Sequence, residues 1–298
     1  MKNELSRAYL ALAVICIVWG TTYFFMRIGV STFPPFLFSG IRQTTAGFIL
    51  LGILKMTGKL SVLNKSNLIR QSIPGVLMIA LGNGVVGWSE QYIPSGLAAL
   101  IVSIMPVYIV LIAFVSGADR KSPNRFILFG LLLGSLGIVL MFRDNLSDLV
   151  NPQYFTGMVV AFFAALCWAA GSVFSKYKTA GTNALTSAAI QMLSGGLFLL
   201  LASLFLDNYD ALDQISNDSI WSLVYLIIFG SLLTYPCFVY ALEKLPVGLA
   251  SIYAYINPFI ALLLGFFFLQ ERLTWLTGVA LIAAAGSIYF INRGYKTK

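Results

Sequence analysis

The stretch Ala8–Met26, AYLALAVICIVWGTTYFFM, decides the fold, because none of its residues carries a charge. A helix of about 20 apolar residues crosses the hydrocarbon core of a bilayer and satisfies its own backbone hydrogen bonds there. Lys2 and Arg7 precede the stretch, as basic residues precede the apolar core of a signal peptide. No small-residue cleavage site follows it, so we interpret it as a retained first transmembrane helix.

Further apolar runs follow along the whole chain. Of the 298 residues, 59% are hydrophobic and only 10% are charged, whereas soluble domains carry about 25% charged residues. A soluble fold could not bury this much apolar surface. We therefore predict an all-α integral membrane protein with ten transmembrane helices, at approximately 8–27, 34–54, 72–92, 96–116, 125–142, 155–175, 184–205, 220–241, 249–269 and 274–292.

The charges between the runs orient the chain. If the N-terminus is cytoplasmic, fifteen of the 19 Lys and Arg residues lie on the cytoplasmic side, as the positive-inside rule favours. The longest outer loop, 207–219, then carries four aspartates and no base. We predict that both termini are cytoplasmic. The net charge of +8 is explained by these short loops, so no nucleic-acid partner is expected.

Several kinds of chemistry are not indicated by the sequence. Cys16, Cys167 and Cys237 lie inside apolar runs and form no disulfide framework. The chain has no histidine and no metal-binding or ATP-binding motif, so no metal, cofactor or ATP-driven pumping is expected. An intramembrane enzyme would need a nucleophile–base pair at depth, which we do not find. A sensor should carry a soluble domain, and no loop is long enough for one.

The two halves of the chain resemble each other, which predicts two repeats, 1–148 and 149–298, of five helices each. An odd number of helices places the second repeat in the membrane upside down, and inverted repeats are characteristic of secondary transporters. At an offset of 149, Trp19 meets Trp168, Arg27 meets Lys176 and Arg42 meets Gln191. At an offset of 152, Ile93–Ala98 meets Leu245–Ala250, Pro106 meets Pro258 and Asp119–Arg120 meets Glu271–Arg272.

These motifs resemble the EamA family of the drug/metabolite transporter superfamily over nearly the whole chain. The resemblance rests on Trp19–Phe24, Tyr92–Leu100 with Pro106, Cys167–Ala169, Leu245–Ala250, and Asn257–Pro258 followed by Gln270–Glu271. It implies ten helices in two EamA repeats, an inner-membrane location in a bacterium, and efflux of small metabolites or drugs. Asp119–Lys121 stands where the family often has a Glu-containing loop, a departure that leaves the fold intact. An uptake permease and a proton-coupled exchanger remain alternatives.

Polar residues within the predicted helices are candidates for function, because they are costly in a bilayer. Pro106 and Pro258 are predicted to kink their helices, and Arg27 and Glu90 to form a gate or ion pair. Glu90 is also the expected partner of Arg42, although a structural ion pair or a snorkelling Arg42 is the alternative. We predict a substrate cavity between the halves, lined by Trp19, Thr22, Arg42, Asn83, Ser103, Trp168, Ser172, Gln191, Tyr253, Tyr255 and Asn257.

Arg42 is the fixed positive charge at depth, so a solute that bears a carboxylate, such as an amino acid, is favoured over a simple cation. A Glu90 paired with Arg42 or Arg27 would stay ionised, which predicts facilitated diffusion or exchange. Proton coupling through Glu90 is the alternative. Gly130, Gly134 and Gly137 are expected to pack helices within the molecule, with a dimer face as the alternative. The sequence does not determine the oligomeric state.

Overall fold

The computed structural model describes residues 2–93, 95–119, 123–141, 143–179, 181–210, 212–269 and 275–297. The described residues form helices joined by short turns and contain no β-strand. Pro94, Arg120, Lys121 and Gln270–Arg272, which carry part of the predicted repeat and of the family motifs, lie outside them.

Ten long helices, of which two are interrupted, follow each other along the described chain, and short 3₁₀ helices lie between some of them at Arg143–Val150, Pro152–Tyr154 and Leu212–Gln214. The long helices are α1 (Lys2–Gly29), α2 (Pro35–Met56), α3 (Lys65–Ser89), α4 (Ser95–Val102 and Met105–Val115), α5 (Arg125–Met141), α6 (Phe155–Lys178), α7 (Ala184–Leu206), α8 (Asn217–Lys244), α9 (Val247–Ala250 and Tyr253–Leu269) and α10 (Trp275–Lys296). The backbone widens to a π-helix over Gly75–Gly84 in α3 and Leu226–Leu233 in α8.

Eight of these helices are long and apolar enough to cross a membrane, counted over the described residues. The other two, α5 and α9, contain shorter apolar segments, Arg125–Met141 and Val247–Ile260. At 1.5 Å per residue, the 17 residues of α5 extend about 26 Å, slightly less than the hydrocarbon thickness of about 30 Å. The protein is therefore a multi-pass membrane protein, and ten crossings remain a prediction.

Local side chains fix where several helices begin. Asn64, Asn183 and Ser216 cap α3, α7 and α8 by accepting a hydrogen bond from the backbone three residues later. The cap of α2 comes from another helix. The carboxylate of Asp207, just past the end of α7, accepts hydrogen bonds from the amides of Phe36 at 3.3 Å and Leu37 at 2.7 Å.

The interruptions in α4 and α9 change the expected role of one proline. Pro106 does not kink a continuous helix, because α4 breaks at Ser103–Ile104 and Pro106 is the second residue of the new segment. The missing amide of a proline costs little there. Pro258 does lie inside the second segment of α9, as predicted. Its ring leaves the Ala254 carbonyl without an intrahelical donor, and the Ser103 hydroxyl approaches that carbonyl to 3.2 Å.

Helix packing repeats between the two halves of the chain. Helix α1 packs on α8 and α9, and the equivalent α6 packs on α3 and α4. The pairs α2–α7 and α5–α10 join equivalent helices across the halves. Gly130, Gly134 and Gly137 face α10 and α9, since added Cβ atoms would meet Ile291, Tyr255 and Ala283. These glycines therefore pack helices within the molecule, as expected.

Candidate functional site

A cavity with about 800 Å³ of space free of atoms, part of it open to solvent, lies between the two halves, and we call it the central cavity. Its walls come from the last turns of α1, the beginning of α2, the end of α3 and the adjoining parts of α4, α6, α8 and α9. It therefore lies toward the end of the molecule that bears the α1–α2 loop, which we call the loop end. The opposite end, where Tyr9 of α1 bonds Asn292 of α10, is the terminal end.

The structure brings seven of the predicted substrate-binding residues into the cavity wall. They are Trp19, Thr22, Arg42, Asn83, Trp168, Tyr253 and Asn257. Glu90, predicted as a gate residue, lines the same cavity, while Arg27 is exposed one residue beyond the lining Met26. Their contact with a substrate remains a prediction.

Aromatic rings close the cavity toward the terminal end. The repeat-related Trp19 and Trp168 meet edge to face, with ring centroids 5.6 Å apart. Tyr253 lies 5.0 Å and Phe238 5.2 Å from the Trp19 ring. The Trp19 indole donates a hydrogen bond to the Gly230 carbonyl at 3.1 Å, which holds its ring across the cavity. We call Trp19, Trp168, Phe238 and Tyr253 the aromatic floor.

Arg42 is the cation of this cavity and is 3% exposed. Its Nε donates to the Ser231 hydroxyl at 2.9 Å, and one Nη lies against Gly230, where an added Cβ would approach to 2.7 Å. The expected ion pair with Glu90 is not formed. Arg42 points to the π-helical segment of α8 because the glycine at position 230 leaves room for the guanidinium. Its Nη groups have no hydrogen-bond partner among the described residues.

Acceptor atoms lie in the same wall as Arg42. Oε1 of Gln43, Oδ1 of Asn83 and Oε2 of Glu90 are buried, and none has a hydrogen-bond partner within the described part of the chain. Arg27 is the cation whose charge acts on Glu90. Buried polar atoms are normally hydrogen-bonded, so these three oxygens are suited to accept donors from a bound solute.

Gln191 does not line the cavity, contrary to the prediction, because it is fully buried in a hydrogen-bond network behind the aromatic floor. Its amide nitrogen donates to Gln71 at 2.7 Å and to the Ser175 hydroxyl at 3.1 Å. Its carbonyl oxygen accepts from the Tyr235 hydroxyl at 2.8 Å. The network joins α3, α6, α7 and α8 beneath the floor.

Three further predicted residues lie outside the cavity lining, and their hydroxyls bind carbonyls of their own helix or groups of a neighbouring helix. Ser103 bonds the carbonyl of Ala99 at 2.7 Å and approaches that of Ala254. Ser172 bonds the Trp168 carbonyl at 2.8 Å. Tyr255 turns toward α5 and reaches the Leu131 carbonyl and the Ser135 hydroxyl at 3.4 Å each. These residues stabilise the walls from behind.

Sequence reasoning missed three polar residues that line the cavity, Tyr23, Gln43 and Tyr235. A signal was present for each of them. Tyr23 belongs to the Trp19–Phe24 motif, and Gln43 adjoins Arg42. The offset of 152, extended backward, places Tyr235 opposite Asn83.

The fold and the cavity define a class of protein. An all-helical membrane protein whose halves pack alike around a central polar cavity has the architecture of secondary transporters. The sequence matches the EamA-like transporter family over residues 6–143 and 155–293. The chain belongs to this family and is a transporter of the inner membrane, as the resemblance predicted.

Individual relatives agree with this assignment. The uncharacterised inner membrane transporter YedA of Escherichia coli is 32% identical over 95% of this chain and 90% of its own. The protein PecM of Dickeya dadantii is 30% identical over 90% and 87%. The uncharacterised transporter YoaV of Bacillus subtilis is 25% identical over 90% of both chains. A crystal structure of another protein superposes with a TM-score of 0.77 at 18% identity, over 96% of both chains, which shows the fold alone.

Proposed function

We propose that this transporter moves small organic solutes of the amino-acid type out of the cell by alternating access, with the central cavity as their binding site. Ten membrane crossings in two inverted repeats, with both termini cytoplasmic, complete the proposal. The loop end of the cavity would then face outward.

The buried Arg42 in the cavity wall carries this proposal. Its Nη groups, which have no partner in the described part of the chain, offer two parallel donors, the arrangement that binds a carboxylate through two hydrogen bonds. The unpartnered oxygens of Gln43, Asn83 and Glu90 lie in the same wall and can accept from an ammonium group. A zwitterion satisfies both sets of groups without leaving an unbalanced buried charge. The aromatic floor adds apolar and cation–π surface for the rest of the solute.

Two layers of side chains that close the cavity on one side support alternating access. The aromatic floor and the Gln191 network lie between the cavity and the terminal end. A solute in the cavity could leave toward the loop end, whereas its passage the other way requires these layers to part.

The proposal is tested with purified protein in liposomes and a panel of labelled amino acids and aromatic metabolites. We expect wild-type flux of carboxylate-bearing solutes and a loss of at least about 100-fold in Arg42→Gln, because two charge-assisted hydrogen bonds are worth about 3 kcal/mol or more. Arg7→Gln, at an exposed position of α1, is the control and should transport normally. Normal kinetics in a folded Arg42→Gln protein would refute the proposed site.

Proton coupling through Glu90 is favoured by one observation over the uncoupled mechanism. The uncoupled mechanism assumed that a cation pairs with Glu90 and keeps it ionised. Arg42 does not pair with Glu90, and Oε2 of Glu90 is buried without a donor among the described residues. Glu90 is therefore placed to exchange a proton when a solute enters or leaves.

A further inference from the structure

A second cavity, with about 620 Å³ of space free of atoms that includes space open to solvent, lies between α6, α7 and α8 at the terminal end. Ser175, Lys176, Thr182, Val239 and Glu243 are among the residues that line it. It is separated from the central cavity by the Gln191 network, because Tyr235 lines the central cavity and Ser175 lines the second one.

Lys176 of α6 binds the end of α8 beside this second cavity. Its ammonium donates to the backbone carbonyl of Glu243 at 2.7 Å and to that of Leu245 at 2.9 Å. The Glu243 carbonyl belongs to the last turn of α8, and Leu245 directly follows the helix. Carbonyl groups at a helix C-terminus lack intrahelical partners, and the helix dipole favours a cation there. The carboxylate of Glu243 is bound instead by Lys244 at 3.0 Å, which in turn reaches Glu4 of α1 at 3.7 Å. The Lys176 contact therefore depends on backbone carbonyls.

This contact joins the two groups of helices that would move apart during transport. Helix α6 packs with α3 and α4, and α8 packs with α1. Lys176 therefore crosses from one group to the other at the terminal end. We propose that Lys176 is a gate latch, which holds the terminal end closed by binding the α8 carbonyls and releases them when that end opens. The inference rests on the proposed function, because it assumes alternating access.

The test measures which end is open, in nanodiscs and without substrate. Single cysteines replace Val86, which lines the central cavity, or Val239, which lines the second cavity and is 5% exposed. Cys16, Cys167 and Cys237 are first changed to alanine. In Lys176→Met we expect thiol labelling of Val239→Cys to rise about tenfold, equivalent to about 1.4 kcal/mol, while that of Val86→Cys falls.

Lys178→Met is the matched control, since Lys178 lies two residues further along α6 and is exposed. It should change neither labelling rate. Hydrogen exchange of the otherwise unaltered protein gives a second measurement, in which amides around 239–247 should exchange faster in Lys176→Met only. Unchanged labelling and exchange in Lys176→Met would overturn the latch. Because neither measurement involves a solute, a failure of the latch is distinguishable from a failure of the Arg42 site.

Discussion

At the scale of single residues, the position of Arg42 depends on a glycine in another helix. An alanine at position 230 would bring its Cβ to 2.7 Å from Nη2 of Arg42, and its other near contacts would be looser, at 3.2 Å from Thr22 and 3.3 Å from Leu226. The guanidinium is the flexible end of a side chain and can move aside at little cost to the fold. Its donors would then no longer point to where we expect the solute carboxylate.

We therefore expect Gly230→Ala to raise KM for carboxylate-bearing solutes about tenfold, a loss of about 1.4 kcal/mol, with normal yield of folded protein. The measurement is initial flux in liposomes over a range of solute concentrations. Gly52→Ala is the control, because an added Cβ there meets nothing within 4 Å. An unchanged KM in Gly230→Ala would contradict the proposed orientation of Arg42.

Glu90 is the second residue whose chemistry can be measured directly. If it carries a proton, a pH gradient that is acidic at the loop end should accelerate transport toward that end. Glu90→Gln is permanently neutral but keeps an acceptor oxygen, so it should lose this acceleration and retain downhill flux with a higher KM. Asp213→Asn, in the exposed α7–α8 connection, should behave as wild type. If the pH gradient does not change the flux of the wild-type protein, the result would instead support facilitated diffusion or exchange.

At the scale of helices, Asp207 shows how one helix caps another. Its carboxylate accepts hydrogen bonds from two backbone amides in the first turn of α2, which have no partner within that helix. Helices α2 and α7 also pack along their lengths. Burial raises the pKa of Asp207, although the bonds from Leu37 and Phe36 oppose this effect. The acceptor oxygen, more than the charge, is therefore what stabilises the start of α2.

This predicts different effects for two substitutions. Asp207→Ala removes the acceptor and should destabilise the protein by about 1 kcal/mol, whereas Asp207→Asn keeps an acceptor and should cost less. The measurement is thermal unfolding of the purified variants. Because the folded protein holds the Asp207 proton more tightly than the unfolded chain, wild type should gain stability relative to Asp207→Asn as the pH falls through the raised pKa. Equal Tm values for the Ala and Asn variants would show that the cap is unimportant.

At the scale of the whole molecule, orientation in the membrane follows from the distribution of charges. Asp213 and Lys59 are both exposed and lie at opposite ends of the fold, so each can be replaced by a cysteine that reports which side of the membrane it faces. In intact cells an impermeant thiol reagent should label Asp213→Cys and leave Lys59→Cys unlabelled, and a C-terminal fluorescent reporter should be active in the cytoplasm. Protection of Asp213→Cys in intact cells would show that the predicted orientation is wrong.

The sequence by itself determined the solvent, the class of fold and the equivalence of the halves. Uncharged runs such as Ala8–Met26 are stable across a bilayer and not in water, so composition alone predicts helices in a membrane. The offsets that pair Trp19 with Trp168 and Arg27 with Lys176 also predicted which residues are equivalent. Both tryptophans and Arg42 lie in the cavity wall because side chains that are costly in lipid face the centre of the bundle.

Only the tertiary structure decided which neighbour each polar side chain meets. In a helix that is apolar on every face, the sequence does not indicate which face turns to the cavity. Gln191 and Ser172 therefore seemed equivalent to Arg42. In the structure Gln71, Ser175 and Tyr235 surround Gln191, and the Ser172 hydroxyl approaches the sulfur of Met78 in α3 at 3.4 Å. The interruption at Ser103–Ile104 was hidden for the same reason. The apolar composition of a segment predicts that it lies in the bilayer. The hydrogen-bond partners that a side chain finds in distant helices depend on how those helices pack, which composition does not show.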